Sequence, residues 1–377
     1  MALSDDAQFS LETKAGLSKH HIVLVLGRRD NPTDGVYDYS ASLAKACRTL
    51  GSSVDVLEVE WINSGWLRAA SRLIRDLRSY TPRWTVFQIT HLAWSRHGVP
   101  FGLLLVALAA RLSGVRMAAI VHDPAGFAGD TFLVRVKRAS QHLALSFFHR
   151  MASHVFVTVP SKCIPWSGNH FNKALTFLPV GSNIPVQIGS ARKNASRYFS
   201  VVVFGVTEGP HGVEQRRAIT EVLQKAAQAV GPVKLYAFGR GTSLTDGAWP
   251  QTDGRVKILS LGVLNNVAAS RVLVQADVML FVRGGISSRR GSAIAGLAHG
   301  LPVVAYRGLE TAWPITEAGI ELVNPGDIDG MASALVRIAT DTSYRNQLRE
   351  LSSNAYERYF AWDVIARTFL GTLECAQ

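Results

Sequence analysis

The sequence predicts an α/β protein built as two doubly wound halves, each a parallel sheet with helices on its faces. Three observations predict it. Short apolar runs closed by glycine or polar residues alternate with stretches of helical spacing along the chain. The alternation breaks once, across residues 182–199, and then restarts. A chain of 377 residues is too long for one ordinary domain and suits two.

His21–Gly27 (HIVLVLG) is an apolar run closed by glycine and reads as a buried strand. Beyond a polar loop, Tyr37–Leu50 has helical spacing, with Tyr39, Leu43, Ala46 and Leu50 on one side and Gly51 as its stop. Ser53–Val59, Val86–Thr90, Met117–Val121 and His154–Val159 read as further strands, with a helix around Phe101–Leu112, and Leu178–Gly181 closes this half. Residues 182–199 are polar, carry Gly, Pro and basic residues, and read as a linker. The second series has strands at Ser200–Gly205, Val233–Gly239, Val256–Leu259, Val278–Val282 and Val303–Tyr306. Its helices are Glu214–Val230, Val267–Gln275, Gly291–His299 and Asp327–Thr340. Open parallel sheets bind ligands beyond the carboxyl ends of their strands, so a ligand is expected in a cleft between the halves.

Composition narrows the class. With 47% hydrophobic and 18% charged residues the chain can bury two cores and is not disordered. Cys47, Cys163 and Cys375 are scattered and odd in number, which points to a reducing compartment and away from a disulfide framework or a metal motif. The polar first twenty residues, with Asp5, Asp6 and Glu12, show no secretory signal. The apolar run Val99–Leu112 is interrupted by Arg111 and falls short of the roughly 20 residues a spanning helix needs. A cytoplasmic location is expected, with peripheral attachment to the cytoplasmic face of a membrane as a variant of it.

The net charge is +12, and residues 1–190 carry most of the excess. That balance suits an anionic partner (phosphates, an anionic membrane surface or nucleic acid) or is generic solubilising charge. Two stretches, Trp66–Tyr80 and Phe132–Arg150, mix apolar residues at helical spacing with arginines. They fit contact with anionic lipid. They fit equally a fold in which the apolar residues face the core and the arginines face water. No nucleic-acid-binding module is visible, and nucleic acid is not an expected partner.

The densest local signal is RGGISSRRGSAIAGLAHGLPVVA, Arg283–Ala305. A strand runs into a glycine-rich loop, a helix opens near Arg290, and a Pro-containing turn leads to another strand. A helix N-terminus offers unpaired N–H groups and a positive dipole end to an anion. Ser287, Ser288 and Ser292 can cap it or donate hydroxyls, and Arg289 and Arg290 add forked donors that match phosphate. Gly291 and Ser292 contribute the first N–H groups. The alternative is an ordinary capped helix with solvated arginines.

His122 directly follows the strand Met117–Val121 and is a candidate to donate to a bound ligand or orient a reacting group. It could also merely cap the strand. Gly35, in the turn before the first helix, permits close approach to a phosphate. Asp34 and Asp38 flank it and suit either holding a ligand hydroxyl and acting as a base or helix capping. No GxGxxG is present, which argues against a nicotinamide dehydrogenase. Arg240 lies in the turn Gly239–Gly241 (GRG). Glu208, Gly209, His211 and Arg216 occupy the first turn and helix of the second half, and Glu317 follows its last loop.

These pieces resemble a known family. GLAHGLPVVAYRG, preceded by QADVMLFV, is similar to the donor-binding segment of GT-B glycosyltransferases, above all the retaining group numbered family four (glycosyl transferases group 1). DGVYDYSASLAKACRTLG resembles the glycine loop and first helix of the acceptor domain, and AAIVHDPAGF the strand ending in a histidine near the donor sugar. VFVTVPSKCIPW, FLPVGSNIP, LYAFGRG and YERYFAWDVIARTF follow in the expected order and extend the likeness over nearly the whole chain. The resemblance implies the GT-B fold, with two Rossmann-like domains whose parallel sheets face a central cleft. It implies an acceptor-binding domain over 1–185, a donor-binding domain over 198–355, and a last helix over 356–377 that packs back on the first domain. It further implies a hexosyl-type transfer from a nucleotide-sugar to a glycan or lipid-linked acceptor, in surface or exopolysaccharide synthesis.

On that likeness His122 and Asp38 are the catalytic candidates. Gly35, Arg240, Ser287, Ser288, Arg289, Arg290, Gly291 and Ser292 are the donor-binding ones. No cofactor and no metal are expected, because arginines and helix N–H groups would hold the diphosphate and no DxD motif stands in a suitable loop. The sequence departs from the family at one place. Its usual pair of glutamates, eight positions apart, is replaced by Ser287 and Ala295. That departure keeps open a non-catalytic GT-B nucleotide- or glycan-binding protein, and a GT-B sugar-nucleotide epimerase or hydrolase.

Overall fold

The computed structural model describes residues 21–27, 35–127, 129–166, 175–186, 197–243 and 247–375. The chain forms two compact units, 1–179 with 362–377 and 180–361. Most of the segment read as a linker, 187–196, lies outside the described residues, as do Asp34 and the polar loop before the first helix.

The first unit holds β1 (His21–Gly27), α1 (Gly35–Thr49), β2 (Ser53–Val59), α2 (Trp66–Tyr80), β3 (Trp84–Ile89), α3 (Phe101–Leu112), β4 (Arg116–Val121), α4 (Phe132–Met151), β5 (His154–Val157) and β6 (Leu175–Phe177). Its six-stranded sheet has the order β2-β1-β3-β4-β5-β6, parallel throughout. Strands buried on both faces need apolar residues at every position, and β3 is buried along its whole length. Val23, Val25, Phe87, Ile89, Met117 and Ala119 share one core with the inward residues of α2, α3 and α4. Right-handed crossovers from β2 through β5 place those three helices on one face. The other face carries α1 and a last helix of the chain, α10 (Trp362–Cys375), whose Phe369 meets Phe156 at 5.2 Å between ring centres.

The second unit holds β7 (Phe199–Phe204), α5 (Pro210–Val230), β8 (Val233–Phe238), β9 (Val256–Gly262), α6 (Asn266–Gln275), β10 (Val278–Phe281), α7 (Gly291–Ala298), β11 (Val303–Tyr306), β12 (Ile320–Val323), α8 (Ile328–Thr340) and α9 (Thr342–Ala355). Its sheet has the order β12-β11-β10-β7-β8-β9, again all parallel. Ile219, Val222, Leu223 and Ala226 of α5 pack with Met331, Leu335 and Ile338 of α8 over Val201, Val203 and Leu235. Burying each Leu or Ile fully contributes roughly 1.5–3 kcal/mol.

The strand expected at Leu178–Gly181 forms earlier, as β6. Leu178 N–H still reaches Val157 O at 2.8 Å, but Pro179 has no N–H to continue the ladder. β12 and α9 were not anticipated. The half-buried strand Ile320–Val323 is too short to show a period, and α9 has only Leu348, Ser352 and Ala355 buried. Among the described residues no helix is long and apolar enough to cross a membrane.

Candidate functional site

In each sheet the chain order reverses beside its first strand, at β1 in one unit and β7 in the other. The carboxyl ends of the strands at such a switch point are left uncovered by crossover connections, so ligands bind there. In the second unit the chain places glycine at these ends. Gly205 follows β7 with φ of 81°, and a Cβ there would stand 3.0 Å from Arg283 Nη1. Glycine is thus required both by the left-handed backbone and by the guanidinium that fills the space.

Arg283, just beyond β10, is the residue this arrangement singles out. It is half-buried and forms no hydrogen bond or ion pair with any described residue. Burial pulls its pKa down, and the neighbouring charge of Arg240 adds to the effect. No described carboxylate offsets that repulsion. Arg240 is exposed on the turn between Gly239 and Gly241, where its carbonyl accepts from Val206 N at 2.9 Å. The charge of Arg240 thus acts on Arg283 near the switch point, and two cationic side chains there suit an anion.

The loop after β10 then carries Ser287, Ser288, Arg289 and Arg290. Gly285 and Gly308 bring the loops after β10 and β11 into backbone contact, since a Cβ on Gly285 would lie 2.4 Å from Gly308 Cα. Thr311 Oγ1 ties them together by donating to Ile286 O at 2.6 Å and accepting from Gly308 N at 2.8 Å. This delivers Glu310 to the site. Its Oε2 accepts from Ser287 Oγ at 3.2 Å and from Arg289 Nε at 2.6 Å. The ion pair is largely enclosed, with side-chain exposures of 21% and 13%. Glu310 Oε1 is buried and accepts no hydrogen bond from any described residue.

The serines do not behave as the sequence suggested. Ser287 and Ser288 are buried, Ser287 is turned to Glu310, and no side chain caps α7. Ser288 instead uses its carbonyl, which accepts from Val180 N at 3.0 Å. Arg290 occupies the N-cap position, and Gly291 and Ser292 are the first residues of the helix. Arg289 is committed to Glu310, whereas the sequence reading had paired it with Arg290 as a phosphate clamp.

Arg216 has a different role from the others. It is buried on α5 with Nη1 donating to Gly241 O at 3.0 Å, beneath the turn that displays Arg240. Arg216→Ala is expected to cost about 2 kcal/mol of stability by leaving a buried carbonyl without its donor. Denaturant unfolding of the variant checks this; an unchanged midpoint would remove the bracing role. Glu208 and His211 are exposed, and Glu317 accepts from Tyr359 Oη at 3.1 Å in a short turn.

In the first unit, His122 leaves β4 buried, its backbone N donating to Ile89 O at 2.9 Å. Its Nε2 lies 2.8 Å from Gln88 Oε1 on β3. A carbonyl oxygen can only accept, so this pairing places the ring proton on Nε2. Tyr39 of α1 packs edge-on to the His122 ring at 4.8 Å and against Trp362 of α10 at 5.3 Å. Its phenol is pushed up by burial, and its oxygen has no hydrogen-bond partner among the described residues. Asp38 is exposed in the first turn of α1. Gly35 opens that helix, and a Cβ there would meet no described residue within 4 Å. Its own surroundings therefore do not demand glycine.

Sequence reasoning thus missed Arg283, Glu310, Gln88 and Tyr39. Arg283 stood at the head of the glycine-rich stretch without a role. Gln88 was visible as a polar residue inside an apolar strand, while Glu310 carried no local signal.

No protein-family model and no curated protein matches this chain. Solved structures do. A sucrose-phosphate synthase from Thermosynechococcus elongatus superposes with a TM-score of 0.66 at 17% identity, covering 95% of this chain and 98% of that one. A glycosyltransferase from Rickettsia africae gives 0.67 at 11% identity over 95% and 98%. A Listeria monocytogenes protein assigned as a UDP-N-acetylglucosamine 2-epimerase gives 0.60 at 10% identity over 95% and 96%. The chain has the GT-B fold of two Rossmann-like units.

Proposed function

We propose that the protein is a glycosyltransferase that moves a hexosyl-type sugar from a nucleotide-sugar to a glycan or lipid-linked acceptor in surface polysaccharide synthesis. The observation that carries this reading is the Arg283–Arg240 pair at the switch point of the second sheet. Departure of a nucleoside diphosphate needs its growing negative charge stabilised more than it needs a strong nucleophile. Arg283 and Arg240 supply that charge, and Arg290 with the N–H groups of Gly291 and Ser292 adds donors at the start of α7. The first unit takes the acceptor, with Asp38 and Gly35 at the start of α1. His122 steadies the sugar as positive character grows at its anomeric carbon. Transfer by this machinery is metal-independent and retains anomeric configuration.

Glu310 offers the bound donor a carboxylate where the family's usual glutamates are replaced. Its buried Oε1 has no donor among the described residues, and a sugar hydroxyl of the bound nucleotide-sugar supplies one. Glu310→Ala is expected to raise KM for the nucleotide-sugar about tenfold, equivalent to one charge-assisted hydrogen bond. The Kd of the nucleoside diphosphate alone should stay within about twofold. Equal loss for both ligands would show that Glu310 acts only through Arg289.

The test of the function itself is thermal unfolding against nucleoside diphosphates and nucleotide-sugars. At a hundredfold excess over Kd, binding to the native state adds about 2.7 kcal/mol of apparent stability. Stabilisation by one base followed by turnover with a glycan acceptor establishes the reading; no response to any nucleotide refutes it. Ser287 and Ala295 in place of the family's glutamates favour a second reading, a GT-B protein that binds a nucleotide-sugar but epimerises, hydrolyses or merely holds it. Product analysis with the stabilising donor separates these outcomes.

A further inference from the structure

We propose that the outer surface of α2, α3 and α4 docks on an anionic lipid bilayer, independently of the transfer reaction. The central helix carries the argument. Its sequence FGLLLVALAARL holds one polar side chain, Arg111. One side, Leu103, Val106, Ala107 and Ala110, fills the core of the first unit. The opposite side is also apolar and faces out. Phe101, Leu105, Leu108 and Leu112 follow one another at helical spacing, and Phe101 and Leu112 are 67% and 79% exposed. An ordinary surface helix turns its charged face to water. This one has no such face.

α4 packs beside α3 and repeats the pattern. Its residues Phe132, Val136, Leu143 and Phe147 stand on one exposed side, with Phe132 at 78% and Leu143 at 71%. Exposed large apolar residues scattered singly need no explanation, but adjacent rows of them on neighbouring helices mark a contact surface. α2 behaves differently. Ala69, Ala70, Leu73 and Leu77 are buried, so the core-packing alternative holds for most of its apolar residues, and its arginines point outward.

Charge identifies the occupant. From Trp66 to Met151 the chain carries twelve Lys and Arg against three Asp and Glu. Arg68, Arg72, Arg75 and Arg78 of α2, Arg111 of α3 and Arg135 and Arg150 of α4 are all exposed. Where α3 ends, an open cavity of about 540 Å³ is lined by Arg78, Arg83 and Arg116 together with Thr81, Ser113 and the Gly114 backbone. An apolar row flanked by cations and ending in a basic, hydroxyl-bearing cavity matches the two layers of an anionic membrane surface. The apolar side chains enter the acyl boundary, the arginines meet the headgroup phosphates, and the cavity takes one of those phosphates. α3 is too short to span, so the helices lie in the interface plane.

The experiment is sedimentation of the full chain with vesicles of phosphatidylcholine alone and with phosphatidylglycerol mixed in, at low and high salt. Binding is expected only with the anionic lipid, weakening severalfold as salt rises. Leu108→Glu with Leu112→Glu should lower the partition at least tenfold, and Arg78→Glu with Arg116→Glu should lower it similarly. All four positions border solvent, and circular dichroism confirms that the variants fold. Nucleotide stabilisation of the same variants should be unchanged, which separates failure of docking from failure of the transfer reading. The proposal is overturned if the wild-type protein ignores anionic vesicles or if both double variants bind as well as the parent. It is equally overturned if the protein dimerises through this face, seen as a concentration-dependent dimer that Leu108→Glu with Leu112→Glu converts to monomer while no vesicle binding occurs.

Discussion

Arg283→Ala is expected to weaken binding of the nucleoside diphosphate about a hundredfold, measured by isothermal titration. A guanidinium partly removed from water and set beside another like charge is poorly stabilised until an anion arrives. The anion therefore gains both charge-assisted hydrogen bonds and relief of the repulsion from Arg240. Such hydrogen bonds are worth roughly 1.5–3 kcal/mol each, and a hundredfold loss corresponds to about 2.7 kcal/mol. The unliganded variant should be no less stable than the parent, because Arg283 forms no hydrogen bond or ion pair with any described residue. Arg283→Lys should recover part of the affinity, since it restores charge but not the fork. Unaltered affinity in Arg283→Ala would remove this residue from the site. It would also remove the observation on which the transferase reading rests.

His122→Ala should act on the other quantity. We expect kcat to fall by about two to three orders of magnitude, with the nucleoside diphosphate Kd changed by no more than about twofold. The nucleotide is assigned to the second unit, so loss of a histidine in the first should spare it. Gln88 is a positioning residue here, because it holds His122 Nε2 at 2.8 Å and sets the tautomer. Gln88→Leu should lower kcat about tenfold and shift the pH profile of kcat, whereas a purely structural glutamine would leave that profile in place. If His122→Ala retained full kcat, the histidine would be reduced to a buried polar residue that closes the end of β4.

Much of the architecture was legible in the residues alone. Buried parallel strands must be apolar at nearly every position, so HIVLVLG, SVVVFG and VKLYAFG announce themselves, and the glycines that end them mark where the backbone turns. The loop Arg283–Ser292 was legible for the same reason, as a strand–glycine–helix sequence with a particular charge.

What that loop does with its charge was decided by tertiary structure. Arg289 and Arg283 look equivalent in a string of letters. Glu310, twenty-one residues after Arg289, arrives only because Gly285 and Gly308 let two loops touch, and it neutralises Arg289 while leaving Arg283 exposed to Arg240. The outward face of α3 was hidden likewise. Its run of leucines fits a buried helix as well as a surface one, and only the packing of a sheet on one side, with the other left exposed among the described residues, distinguishes them. The sequence by itself determined most strands of both sheets, the alternation of strands and helices and the place of the glycine-rich loop, because these depend on local periodicity and backbone freedom. Which charges are paired, which are desolvated and which apolar rows face outward depend on contacts between distant segments, and those exist only once the chain has folded.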